Sequence, residues 1–294
     1  MRRSPKKQRS PYQEYHIILE EKGKEFVQRA KKDNCMLLAI VAPLFLPARP
    51  AELLPPDSVA ISREESMGLA YVIDKVEREH GLPPKLVLLI ETTGGSGALG
   101  YKMARLLRSK FDKVTVFVPH FAVSAGTMIA CIGDEIVMDV TSSLGPFDAQ
   151  IELPKYGFVS ASALRKGMEI TEDYYRKRGV SDPASLVEKR VDPILQGLLE
   201  EVQRAGELYL AEILEMAHYP KKVVKKIVTK LVWEYPTHEF PITMERAIEL
   251  GLRVSPRSKY PDLWSMMEEW LDRLAFHPDN EDHMIAYTHP ASGR

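Results

Sequence analysis

Short apolar runs alternate with helical stretches through the first half of the chain, and this alternation limits the fold more than any other feature. The apolar runs have the length of buried strands and cover residues 35–44, 86–90, 114–119 and 135–139. The stretches with helical spacing lie between or beside them, at residues 62–79, 98–111 and 125–132. This order predicts an α/β protein with a mainly parallel sheet and helices on both of its faces. In such folds, binding sites gather at the carboxyl ends of the strands.

The second half and the two ends of the chain show other patterns. Residues 12–33 predict a polar helix. Asp192 followed by Pro193 predicts the start of a long helix reaching about Ala217, because Asp is a favoured N-cap and Pro a favoured first helical residue. The basic residues 1–11 predict a disordered tail, and the last twenty residues predict another. For the basic start, an arm that binds a membrane surface or another anionic partner is the alternative.

Charge and cysteine content exclude several classes of protein. The 40 Lys and Arg residues nearly balance the 41 Asp and Glu residues, so the chain has no overall field that attracts nucleic acid. Cys35 and Cys131 are its only cysteines and both lie in apolar runs, which argues against disulfides and a cysteine-rich metal site. The longest apolar run, 36–47, is too short to cross a bilayer, and no secretory signal pattern is present. We expect a cytoplasmic protein without a metal or cofactor.

Two glycines follow the strand at residues 86–90. Gly94 and Gly95 carry no Cβ, so backbone N–H groups of this turn can come close to a bound oxyanion. The alternative is a strand-to-helix turn that needs glycine only for its positive φ. The spacing around the two glycines matches neither a Walker loop nor a dinucleotide-binding loop.

A serine follows the strand at residues 114–118. Ser124 precedes Ala125 and Gly126, and such small neighbours leave its Oγ approachable. The N–H of Ala125 at the start of a helix can stabilise an oxyanion. The alternative is that Ser124 only caps this helix, since serine is a favoured N-cap. Because a glycine turn and a serine are expected side by side at neighbouring strand ends, we interpret Ser124 as a nucleophile.

The pair Gly94-Gly95 followed downstream by Ser124-Ala125-Gly126-Thr127 resembles the Clp protease and signal peptide peptidase A classes of serine peptidase. Residues 118–127, 133–139 and 144–150 are more closely similar to the serine dehydrogenase proteinase family, and the resemblance spans roughly 35–255. It implies a Clp/crotonase-type fold, a peptide or protein substrate and a homo-oligomer, with the helix after Asp192 as a candidate contact.

The resemblance also implies roles for individual residues. Ser124 would be the nucleophile, and Gly94, Gly95 and Ala125 would supply N–H groups to the oxyanion. Clp proteases place a histidine soon after the nucleophile, but no histidine lies between positions 120 and 218. We therefore predict a lysine base, as in the signal peptide peptidases.

A lysine base must be neutral, and burial among apolar groups is one way to achieve this. Lys166 has small and apolar neighbours in the sequence and is our choice. Lys155 and Lys177 remain alternatives. The resemblance implies that Ser143 orients the lysine.

Two histidines near the motifs are expected to be structural. His120 lies at the end of the strand that leads to Ser124. His238 matches a histidine in the segment that closes the family's domain. The chain departs from the family's pattern at Thr93 and Ala149, where proline is expected, and this weakens inferences about the substrate groove.

We therefore predict a basic tail at 1–11, a serine hydrolase domain at 12–255 and a C-terminal helix and tail at 256–294. The predicted activity is peptide hydrolysis by Ser124 with Lys166 as base. A catalytically inactive scaffold of the same fold is one alternative. A crotonase-like acyl-CoA hydratase or isomerase, which would not need a serine nucleophile, is another. Peripheral membrane association is left open.

Overall fold

A seven-stranded sheet forms the centre of the computed structural model, which describes residues 18–42, 60–153, 157–188, 192–275 and 284–292. In spatial order its strands are β1 (Ile18–Glu20), β12 (Met284–Thr288), β2 (Cys35–Val41), β3 (Lys85–Glu91), β4 (Lys113–Val118), β6 (Glu135–Met138) and β11 (Val254–Pro256). Neighbouring strands are parallel except β12 and β2, which are antiparallel. The prediction of a mainly parallel α/β sheet is confirmed.

Ten α-helices are found in the part of the chain that the structure describes: α1 (Lys24–Asp33), α2 (Arg63–His80), α3 (Gly97–Lys110), α4 (Ala125–Ala130), α5 (Ala161–Lys177), α6 (Pro183–Glu188), α7 (Pro193–Met216), α8 (Lys221–Thr229), α9 (Met244–Leu250) and α10 (Pro261–Ala275). Alternate residues of β2 belong to two different cores. Met36, Leu38 and Ile40 share a core with α2, α3, α4, α7 and α8, whereas Leu37 and Ala39 pack with α1 and α10. Both faces of the sheet are therefore covered.

Two predicted helix starts have the expected capping geometry. The Ser62 side chain accepts a hydrogen bond from the Glu64 N–H, and the Ser62 N–H donates to Glu65 at 2.7 Å. Asp192 caps α7 by accepting from the Ile194 N–H at 2.8 Å, with Pro193 as the first helical residue. Caps of this kind each contribute about 1 kcal/mol.

Both predicted ends of the chain need correction where they are described. Residues 18–20 form β1 rather than part of a helix, and α1 begins only at Lys24. Residues 284–288 form β12, which lies between β1 and β2 with Ile285 and Ala286 buried, so this part of the predicted tail belongs to the core. Each strand is stabilised by partners far away in the sequence, which local pattern does not reveal. The basic residues 1–11 lie outside the described residues.

Three short strands join the carboxyl ends of the main strands. They are β5 (Phe121–Ala122), β7 (Ser143–Leu144) and β10 (Ile242–Thr243), in the order β10-β7-β5. A hairpin of β8 (Gln150–Leu153) and β9 (Gly157–Ser160) follows β7 in the chain. A bridge between Thr92 and Ala122 connects the end of β3 to this sheet. These contacts bring segments from distant parts of the chain to one edge of the central sheet.

Within the described ranges, no helix combines the length and apolar character needed to cross a membrane.

Candidate active site

The glycine turn lies directly against Ser124. Gly94 and Gly95 have φ values of +106° and +138°, which confirms that this turn needs residues without a Cβ. A Cβ on Gly94 would lie 2.7 Å from the Ser124 Cβ, closer than atoms can approach. The Ile61 N–H donates to the Gly94 carbonyl at 2.6 Å and fixes the other side of the turn.

Ser124 has a strained backbone, and its side chain does not cap the helix that it begins. Its φ is 54° and its ψ is −119°, a combination that few residues other than glycine adopt. Strain of this kind costs about 1–3 kcal/mol and is concentrated at functional sites. Ser124 occupies the N-cap position of α4, but its side chain makes no capping hydrogen bond. The N-cap interpretation therefore does not account for this serine.

The N–H groups near Ser124 differ in availability. The Gly94 N–H donates to Thr92 Oγ1 at 3.0 Å, so it is already occupied. The N–H groups of Gly95 and Ala125 have no acceptor among the described residues. Of the three predicted oxyanion donors, Gly95 and Ala125 thus have no hydrogen-bond partner among the described residues, whereas Gly94 bonds within the turn.

Thr127 ties the first turn of α4 to the neighbouring strands. Its side chain is buried, and Oγ1 accepts from the Gly145 N–H at 2.9 Å. The same hydroxyl lies 2.7 Å from the Ala122 carbonyl, to which it can donate. The backbone on both sides of Ser124 is therefore held by one hydroxyl.

A histidine and an aspartate form a hydrogen bond near Ser124. His238 Nδ1 contacts Asp148 Oδ1, and the two side chains are only 19% and 7% exposed. The Ser162 hydroxyl donates to the second oxygen of Asp148 at 3.1 Å. Asp148 follows β7, and His238 lies between α8 and β10. The sequence alone predicts a structural role for His238 and no role for Asp148.

Ser124, Asp148 and His238 line one cavity of about 760 Å³. Gly94 and Gly95 lie on one side of it, and a face of α7 forms another wall. Its larger apolar side chains are Phe147, Phe158, Val202 and Tyr209. Glu201 is the remaining carboxylate of the lining and has no ion-pair partner among the described residues. The cavity therefore combines a serine, a histidine–aspartate pair, the free N–H group of Gly95 and an apolar wall.

The structure does not bring the predicted lysine to this cavity. Lys166 lies on α5, is 70% exposed and pairs with Glu169 at 3.3 Å. It is not among the cavity's lining residues, and it lacks the burial that we expected a lysine base to need. Lys177 is exposed and pairs with Asp173, whereas Lys155 lies outside the described residues.

Ser143 is also absent from the cavity lining. It lies in β7, where it pairs with Thr243 and its N–H donates to the His120 carbonyl at 2.7 Å. Its position supports the short sheet rather than a lysine.

His120 pairs with Glu91, and neither residue lines the cavity. The buried Glu91 carboxylate accepts from the His120 N–H at 3.0 Å and from the Phe121 N–H at 3.1 Å. The His120 ring lies 3.5 Å from the same carboxylate, and this bond raises the pKa of His120. Burial raises the pKa of Glu91. These contacts agree with the predicted structural role of His120.

The sequence predicts a structural role for His238 and does not reveal its contact with Asp148, because the two residues are far apart in the chain. Ninety positions separate Asp148 from His238. Both residues lie inside segments that carried the family resemblance, and that was the available signal. Contact between them arises only when β7 and β10 pair.

Comparisons with known proteins show which family and which proteins this chain resembles. Residues 82–275 match the sequence model of the ClpP-like SDH-type serine proteinases. Two uncharacterized proteins of Methanocaldococcus jannaschii are relatives. MJ1495 is 33% identical over 59% of this chain and 54% of its own length, and MJ0137 is 31% identical over 71% of each. The match to MJ1495 thus spans about half of that protein.

Two solved structures of the 1510-N membrane-bound stomatin-specific protease, both mutants and one bound to a substrate peptide, are also similar. Their identities are 13% and 14%, and their TM-scores are 0.43 and 0.42. Each covers 67% of this chain, and the matches cover 75% and 71% of the two structures. Because the family's sequence model covers most of the chain, this protein belongs to the ClpP-like SDH-type serine proteinases.

Proposed function

We propose that this protein is a serine peptidase in which Ser124 is the nucleophile, His238 the general base and Asp148 the residue that orients His238. The observation that carries the proposal is the hydrogen bond between His238 and Asp148 in the cavity that Ser124 also lines. Membership of a serine proteinase family supports a peptide or protein substrate. Homo-oligomerisation remains a prediction, which light scattering would test.

The hydrogen bond defines how the histidine would work. With Nδ1 donating to Asp148, the neutral ring carries its proton on Nδ1 and leaves Nε2 as an acceptor. Nε2 takes the proton of Ser124 Oγ as the oxygen attacks the peptide carbonyl, and later returns it to the departing amine. Asp148 stabilises the imidazolium that forms between these steps. Water then hydrolyses the acyl-enzyme by the same route.

The tetrahedral intermediate needs donors for its oxyanion. Gly95 and Ala125 are proposed for this role, because Gly95 lines the cavity together with Ser124, Ala125 follows Ser124 in the chain, and neither N–H group has an acceptor among the described residues. Loss of one such donor typically lowers kcat by about 10²–10³-fold. Gly94 contributes differently: it lets the turn pack against the Ser124 Cβ.

A Ser–Lys mechanism with Lys166 is the competing proposal. An exposed lysine that pairs with Glu169 has neither the burial nor the position for this role. His238 and Asp148 have both, and we therefore favour them.

Fluorophosphonate labelling tests the choice of residues. We expect Ser124→Ala to abolish labelling, and His238→Gln and Asp148→Asn to slow it by about 10²–10⁴-fold, the range seen when a general base or its partner is lost. Lys166→Met should label at the rate of the unmodified protein.

His120→Gln is the matched control for the loss of a histidine, because His120 is close to Ser124 in the chain but bonds to Glu91 outside the cavity. It should retain its labelling rate. Full labelling of Ser124→Ala would refute the proposal that Ser124 is the nucleophile. Normal labelling of His238→Gln together with loss of labelling in Lys166→Met would show that Lys166, and not His238, is the general base.

A further inference from the structure

We propose that Gln203 is a positioning residue that holds Asp148 in register with His238. This inference rests on the proposed function, because it assigns the role through that pair. Gln203 lies on α7 beneath the cavity and is 0% exposed. Among the described residues its side-chain hydrogen bonds go to the backbone on either side of the pair and not to Asp148 or His238, so we assign its effect to the backbone it holds.

The Gln203 amide bonds to two segments at once. Its Oε1 accepts from the Ala149 N–H at 3.2 Å, next in the chain to Asp148. Its Nε2 donates to the Val232 carbonyl at 2.5 Å, in the turn that leads to His238. One side chain therefore joins the backbone next to Asp148 to the backbone that precedes His238.

The turn on the His238 side is a π-helical turn, Lys230–Glu234. The Leu231 carbonyl of this turn accepts from the Phe147 N–H at 2.8 Å. The backbone is thus tied on both sides of Asp148, through Phe147 to Leu231 and through Ala149 and Gln203 to Val232. Turns of this type are frequent at functional sites, and here two carbonyls of the turn accept bonds from outside the helix.

Glutamine suits this position better than other residues. Asparagine is one methylene shorter and would not span the two partners. An ionised glutamate accepts but cannot donate to the Val232 carbonyl. Methionine fills a similar volume without either hydrogen bond. A displacement of about 1 Å at a catalytic group can cost about 10²-fold in rate, so loss of the amide should reduce kcat rather than substrate binding.

A double-mutant cycle tests the inference with a fluorogenic peptide that the unmodified protein cleaves. We expect Gln203→Met to lower kcat by roughly 10–100-fold with KM changed by less than about threefold. In the Asp148→Asn background the same substitution should lower kcat by less than about threefold, because the group it positions has already lost its function. A general structural role would give equal losses in both backgrounds and would overturn the proposal.

Gln196→Met, an exposed glutamine on the same helix and outside the cavity, is the matched control and should keep its kcat. If Gln203→Met does not fold by circular dichroism, Gln203→Asn takes its place in the same cycle, with the same expected losses. Full activity of the Gln203 variants while Asp148→Asn is impaired would refute this inference alone. Full activity of Asp148→Asn would instead refute the proposed function.

Discussion

Replacing Gly94 by alanine tests how closely the glycine turn is fitted to Ser124. The added methyl group would lie 2.7 Å from both the Ser124 Cβ and the Val123 carbonyl oxygen, and 3.3 Å from the Ala125 nitrogen. The carbonyl and the nitrogen belong to the backbone, so these contacts cannot be relieved by a side-chain rotation. The φ of +106° adds strain of its own for any residue with a Cβ.

The magnitude follows from these two terms. Strain at such a φ costs about 1–3 kcal/mol, and overpacking in a rigid site costs about 1–3 kcal/mol more. We therefore expect Gly94→Ala to lower the free energy of unfolding by about 2–6 kcal/mol, a large part of the 5–15 kcal/mol that is typical of a whole domain. Relief of the overlap would move Ser124 or the neighbouring Gly95 N–H, and kcat should fall by about 10²-fold or more.

Urea unfolding and peptide hydrolysis measure the two effects. Gly179→Ala is the matched control, because Gly179 has a φ of +75° and an added methyl group there would meet no atom within 4 Å. It should lose only about 1–2 kcal/mol of stability and no activity. If Gly94→Ala is no less stable and no less active than Gly179→Ala, the tight approach of the turn to Ser124 is refuted.

Three further predictions concern other parts of the site. Glu201→Gln should lower kcat/KM roughly twofold to fivefold for peptides that place a lysine in the cavity, as expected for an exposed carboxylate, and leave norleucine peptides unchanged. Glu200→Gln, at a residue outside the cavity lining, should change kcat/KM for neither kind of peptide. An equal effect of the two substitutions would contradict the role of Glu201 in binding a substrate lysine. His120→Gln should lower the urea midpoint at about pH 6 and have less effect at about pH 9. Because the pKa of His120 is raised in the folded protein, the stability that its pair with Glu91 contributes is fully present below the ordinary pKa of 6.5 and is lost as the pH rises through the folded-state pKa. Equal effects of the substitution at both pH values would argue against the pairing. Thr127→Val should lower the free energy of unfolding by about 1–3 kcal/mol, because it leaves a buried N–H without an acceptor, and an unchanged urea midpoint would contradict that role.

The βα units were predictable because their information is local. The strand at residues 86–90, the capped helix after Ser62 and the positive φ of Gly94 and Gly95 all follow from patterns within a few neighbouring residues. β1 and β12 were not predictable in this way. Their strand conformation depends on pairing with each other and with β2, and residues far apart in the chain supply that pairing.

The sequence by itself determined the fold class, the family and the place of Ser124 beside a glycine turn at a strand end. Local apolar pattern and small residues at fixed spacing are sufficient for these conclusions. Only the tertiary structure decided which side chains share the cavity with that serine. It left Lys166 on an exposed helix face and joined Asp148 to His238, because pairing of β7 with β10 and the bonds of Gln203 bring together segments that the chain itself keeps far apart.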